Sequence, residues 1–177
     1  SGSDQIVACV LAATKNLDVQ VVVSGVPIDT NGGGNRVGPV YSAKFISNSE
    51  VLKRAQLFIS NGGSLSMVDA FRNAVPIIGI TSNFDQLINA RIFEAKGLGA
   101  HFFCRSLKAS RLKDLRKSIE HFLKPSPELQ SRLRKAQEEF SVEVQIDRLV
   151  EKVKETTNFK CPDVETIRSA PHRCCLL

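Results

Sequence analysis

The stretch Ile59–Ala90, ISNGGSLSMVDAFRNAVPIIGITSNFDQLINA, decides the fold. The apolar run QLFIS reads as a buried strand that ends on the Gly62-Gly63 turn, and Leu65 to Ala74 follows as a helix. VPIIGI is a second buried strand, and Asp85 to Lys96 a second helix, closed by Gly97. Strand, glycine turn, helix, strand, helix is the grammar of βαβ units and a parallel sheet.

Upstream the same alternation continues. Ile6 to Thr14 has helical spacing, with Ser3 or Asp4 in reach of its N-terminus as a cap. VQVVVSGV is nearly all apolar, which predicts a strand covered on both faces. DTNGGGNRVG is a loop by composition, RVGPVYS holds a short strand and SEVLKRA a short helix. After Lys108 the pattern is helical throughout, broken at KPSPE, and a tail starts at Asn158. The expectation is an α/β, Rossmann-like parallel sheet flanked by helices over residues 1–157, with 105–157 all helical and 158–177 a tail. If residues 1–3 form the loop after a first strand, that strand precedes Ser1 and the sheet is incomplete within this chain.

With 177 residues, 42% of them hydrophobic, the chain is long enough to bury a core of its own. Five cysteines without a CxxC pair or matched His spacing argue against a disulfide framework and a zinc site, and favour a reducing, cytoplasmic setting. No long apolar run predicts a membrane span, and no leader opens the chain. The net charge of +6 is local: residues 101–137 carry ten Lys/Arg against three Asp/Glu. There Arg105, Lys108, Arg111, Lys113, Arg116, Lys117 and Lys124 interleave with Leu112, Leu115, Ile119 and Phe122 at helical spacing. A solvated basic face is the plain reading, and a peripheral contact with an acidic membrane or partner is the alternative. With a single Tyr and no Trp there is no stacking platform for nucleic acid.

The chemistry concentrates where strands end. In a parallel α/β sheet, helix N-termini point free N–H groups outward at the carboxyl edge, which suits a phosphate or diphosphate. Gly62 and Gly63 let the backbone approach a ligand, and Ser64 and Ser66 add hydroxyls to the next turn. Asp69, a turn further, offers a carboxylate to vicinal ribose hydroxyls, and the Asp85-Gln86 pair after the next strand suits sugar hydroxyls. Ser64 and Ser66 have helix capping as their plain alternative, and Asp69 a surface charge.

FISNGGSLSMVDAFRNAVPIIGITSNFDQLINARIFEAKGLG resembles the donor-binding segment of UDP-dependent glycosyltransferases of the GT-B fold. That pattern runs roughly F-[IV]-T-H-G-G-x-x-S-x-x-E-A-x-x-x-G-V-P-x-[IV]-x-x-P, followed by D-Q-x-x-N-A and G-x-G. Upstream, the family's W-x-P-Q falls on FISN, which puts Phe45 at the Trp position and Asn48 at the Gln position, with Tyr41 as the alternative stacker. The resemblance implies that Phe45 stacks on uracil and Asn48 contacts base or ribose. It implies further that Asp69 holds the ribose, that Asn61, Gly62, Gly63, Ser64 and Ser66 line the diphosphate with Ser3 approaching from the first loop, and that Asp85 and Gln86 hold the sugar. Asn61 stands where the family has His, Asp69 where it has Glu and Ala74 where it has Gly; Asn61 cannot bring a His charge to the diphosphate.

The resemblance also implies that this chain holds no catalytic residue. The base belongs to an N-terminal acceptor-binding domain or a separate subunit, and His101, His121 and His172 lack a partnered carboxylate in sequence. No Asp-x-Asp pair is present, so the expected co-substrate is a UDP-sugar without metal or cofactor. Two alternatives stand beside this reading: the donor-binding subunit of a two-subunit N-acetylglucosaminyltransferase, and a noncatalytic module docking through its basic helix. Finally, Cys174-Cys175-Leu176-Leu177 has the C-a-a-X form, which makes Cys174 a candidate for geranylgeranylation.

Overall fold

The computed structural model describes residues 2–25, 39–107 and 109–157. The chain divides into two compact units, residues 1–137 and 138–177. The first unit opens with α1 (Gly2–Ala13), β1 (Val21–Ser24), β2 (Val40–Ala43) and α2 (Asn48–Leu52). It continues with β3 (Phe58–Ser60), α3 (Ser64–Arg72), β4 (Ile77–Thr81), α4 (Phe84–Ala95) and β5 (Gly99–Phe103). Two short 3₁₀ turns lead to α5 (Leu112–Leu123) and α6 (Pro127–Glu139). The second unit is described by α7 (Val142–Thr157). The tail, and with it Cys174 and His172, lies outside the described residues.

The strands form two parallel sheets. β1 pairs with β2 from Val21↔Val40 to Ser24↔Ala43. β4 lies between β3 and β5, with Phe58↔Ile77 on one side and Ile77↔Gly99 on the other. All five residues of β4 are buried, as its apolar run predicts. Ile77, Ile78 and Ile80 are all but inaccessible, and each such side chain contributes about 1.5–3 kcal/mol of transfer free energy. Phe71 of α3 and Phe93 of α4 are fully buried, Phe93 against Gly79 and Gly99 of the sheet, and Leu115, Ile119 and Phe122 form the buried stripe of α5.

Three expectations need correction. β1 is not covered on both faces: its residues alternate, and Val22 is 45% exposed. Among the described residues its sheet comprises β1 and β2, and both strands alternate between half-buried and exposed side chains, so one face is open to solvent. β5 has no counterpart in the sequence reading, because Gly99, Ala100 and His101 carry little strand signal of their own and owe their place to pairing with β4. α1 begins at Gly2, so Ser3 and Asp4 belong to its first turn rather than to a preceding loop or cap.

α3 and α4 end alike. Val75 N–H donates to Ala70 O (2.9 Å) and Ala74 N–H to Phe71 O (3.0 Å). Leu98 N–H donates to Phe93 O (2.9 Å) and Gly97 N–H to Glu94 O (2.9 Å). Each is a Schellman closure, which needs a left-handed residue. Gly97 takes it at φ +65°, and Ala74 is forced into it at φ +53°.

Candidate nucleotide-sugar site at the strand ends

β3 and β4 are parallel, so their following turns emerge at one edge of the sheet. The first turn is built around Gly62, at φ +81°, a conformation that L side chains avoid. An added Cβ there would lie 3.1 Å from the backbone O of Gln86 and 3.3 Å from Thr81 Cγ2. The Gly62 turn therefore rests directly on the end of β4 and the start of α4. Ser60 Oγ accepts from Gly62 N–H at 3.0 Å, Asn61 Oδ1 accepts from Gly63 N–H at 3.2 Å, and Asn89 Nδ2 of α4 donates to Gly62 O at 3.0 Å.

α3 starts behind this turn with Gly63 as its N-cap, at φ −62° and ψ 145°, and no side chain caps it. The N–H groups of its first turn are the orphan donors of a helix start, where partial positive charge collects. Ser64 is exposed beside them and Ser66 half-buried. Asp69 is half-buried one turn on, and Asn73 Nδ2 donates to its backbone O at 2.8 Å. Among the described residues, the carboxylates of Asp69 and Asp85 hold no ion pair or hydrogen bond.

The second turn is closed. Asn83, the N-cap of α4, accepts from Gln86 N–H at 3.0 Å, and Gln86 Oε1 accepts from Ser82 N–H at 2.8 Å and Ser82 Oγ at 3.1 Å. The carboxamide oxygen of Gln86 is thus spent on the turn, and its NH₂ is the group left to donate outward. Asp85 is exposed next to it.

Phe45 and Asn48 lie elsewhere along the chain, between β2 and α2. Phe45 is 84% exposed, Asn48 is the first residue of α2, and Ile46 N–H donates to Ser24 Oγ at 3.1 Å, tying this segment to the end of β1. α2 packs against α3. Tyr41, on β2, is 55% exposed. The structure therefore brings Asn61, Gly62, Gly63, Ser64 and Ser66 together with Gln86 directly; Phe45 and Asn48 belong to the other sheet's carboxyl end, and Ser3 to α1.

Thr81 escapes the sequence reading, as does the partner it gives to His101. Thr81, fully buried, shares a 2.9 Å hydrogen bond between its Oγ1 and His101 Nε2. The available signal was the final Pro of the quoted pattern, whose place Thr81 takes. Burial pushes the His101 imidazole below its ordinary value, with Glu94 opposing and Arg91 adding to the effect. Among the described residues no group of three metal-ligating side chains occurs, and no helix is long and apolar enough to cross a membrane.

Parallel strands whose turns lead into helix starts at one edge, the first of them through Gly62-Gly63, define a Rossmann-like domain. Residues 20–149 match the C-terminal domain of glycosyltransferase family 28, and the chain belongs to that family, as a C-terminal domain of the GT-B fold. An NDP-glycosyltransferase, YjiC, of Bacillus licheniformis is 31% identical over 90 residues, 49% of this chain and 23% of the relative. The glycosyltransferase VinC, solved with dTDP, superposes with a TM-score of 0.62 at 20% identity over 84% of this chain and 37% of its own. LpCGTa, solved with UDP, gives 0.64 at 19% identity over 92% and 39%. The chain thus spans about a quarter of the curated relative and under two fifths of each solved chain.

Proposed function

We propose that this chain binds a UDP-sugar as the donor half of a glycosyltransferase that moves a hexosyl group to an acceptor hydroxyl. The observation that carries the reading is the uncapped start of α3 behind Gly62 and Gly63, set against the first turn of α4. The N–H groups of that turn, with Ser64 and Ser66, hold the diphosphate and stabilise it as the bond to the anomeric carbon breaks. Asp69 takes the ribose hydroxyls. Asp85, as acceptor, and the Gln86 NH₂, as donor, hold the sugar. Phe45, the more exposed of the two candidate aromatics, stacks on the base, with Asn48 beside it. The base that deprotonates the acceptor comes from an N-terminal domain or a separate subunit, and no metal is required where helix N–H groups carry the leaving charge. Family membership and the nucleotide complexes of VinC and LpCGTa support the nucleoside diphosphate class.

Calorimetric titration with UDP, UDP-glucose, UDP-glucuronate and dTDP tests this. Binding of UDP and at least one UDP-sugar, weakened about tenfold by Asp69→Ala and by Phe45→Ala, is expected. Folded protein that binds none of the four sinks the reading and favours a noncatalytic module. Tighter binding of dTDP than UDP overturns the choice of base alone.

A further inference from the structure

We propose that His101 is a positioning residue for the Gly62–Gly63 turn, acting through Thr81, so that the form of its imidazole sets how firmly the turn grips a nucleoside diphosphate. The regulatory half rests on the donor-site reading above; the mechanical half does not.

The register places Gly79 opposite His101 and Thr81 opposite Phe103. Side chains two apart on a strand share a face, so Thr81 and His101 project on the same side of the sheet. Thr81 has no solvent access, and its hydroxyl meets His101 Nε2 at 2.9 Å. Its Cγ2 lies on the other branch, 3.3 Å from the Cβ position of Gly62. A β-branched side chain has few χ1 choices, and the hydroxyl bond selects the one that puts the methyl under the turn. Ser60 and Asn89 also fasten Gly62, but neither titrates.

Protonation changes what His101 can do. In the tautomer that carries its proton on Nδ1, the neutral ring accepts the Thr81 proton at Nε2, and this is the tautomer the proposal requires; an imidazolium can only donate there. The bond then reverses and strands the hydroxyl hydrogen in a place without water, which costs as much as leaving any buried donor unpaired. Relief comes from rotating Thr81, which withdraws its methyl from Gly62. The charged groups facing His101 are Glu94 and Arg91, both of α4, and the Phe103 ring stands edge-on at 4.8 Å. Because burial lowers the imidazole's affinity for a proton, the transition falls on the acid side of the ordinary histidine value.

The test follows amide and imidazole resonances of the 177-residue chain by NMR from about pH 7.5 to about pH 5, with UDP titrations over the same range. The Gly62 amide is expected to move with the midpoint of the His101 ring, and to stop doing so in Thr81→Val. His101→Gln keeps a neutral group of similar reach, so it should retain UDP affinity at neutral pH and keep only the pH dependence that protonation of UDP's own terminal phosphate imposes, while the wild type weakens about fivefold more on the acid side. A Gly62 amide that stays still while His101 titrates overturns the proposal, as does a His101→Gln profile identical to the wild type. Should Thr81→Val not fold, the His101→Gln amide spectra decide by the same criterion. Coupled amides in a protein that binds no nucleotide at any pH leave the mechanical half standing and remove the donor-site reading.

Discussion

Two neighbouring turns on one sheet edge treat their helices in opposite ways. At α4, Asn83 and Gln86 bond to the backbone around them and close the helix start. At α3 the N-cap is a glycine with no side chain to offer, and Asn61 instead bonds to Gly63 N–H within the turn. A closed start adds stability to the domain. An open one gives that up and keeps its N–H groups for something else, and the residues that differ are those facing the candidate diphosphate position.

The largest test of this contrast is Gly62→Ala. The new methyl group meets Gln86 O while φ stays at +81°, so the two turns must separate. A loss of about 2 kcal/mol in denaturant unfolding is expected, together with loss of UDP binding. An unchanged midpoint would show that the turns do not bear on each other. Next comes Gly63→Asp, which converts the open start into a closed one. Gly63 has ordinary extended dihedrals, and its Cβ would sit 3.4 Å from Asn61 Oδ1, a distance the site tolerates. Stability should rise by a few tenths of a kcal/mol and UDP affinity fall at least about tenfold, because a carboxylate then occupies the anion's place. Equal affinity would mean that the α3 start is not where the diphosphate binds.

Asn83→Ala opens the other turn. About 1 kcal/mol of stability should disappear, read as a lower unfolding midpoint, with UDP affinity unchanged within about twofold. The smallest effect concerns the helix ends, where Ala74 and Gly97 perform the same left-handed closure. Ala74→Gly removes the strain and should stabilise the domain by about 0.5–1 kcal/mol, raising Tm by roughly 2 °C without touching binding.

Much of this was legible before the structure, and for physical reasons. β4 declares itself because VPIIGI has no polar residue to place outside, and the α3 and α5 stripes follow from helical spacing of apolar residues. β1 misled because three consecutive valines look the same whether a second layer covers them or not. The cap at Asn83 was written in the sequence, since Asn followed three residues later by Gln is a helix-start signature, but the glycosyltransferase pattern drew Gln86 toward sugar instead. The Thr81–His101 bond spans twenty residues and exists only because of the β4–β5 register, so no local rule reaches it.

Tyr41 gives the smaller sheet an optical label. It is the chain's only tyrosine, no tryptophan outshines it, and it stands half out of β2, four residues before Phe45. Its emission therefore reports on the β1–β2 ribbon rather than on the packed layer around β4. Two-stranded ribbons are marginal by themselves, so unfolding followed at Tyr41 should begin before unfolding followed by circular dichroism. A bound uracil within range of Tyr41 would dim that emission, and the same single fluorophore would then count occupied sites without any added dye.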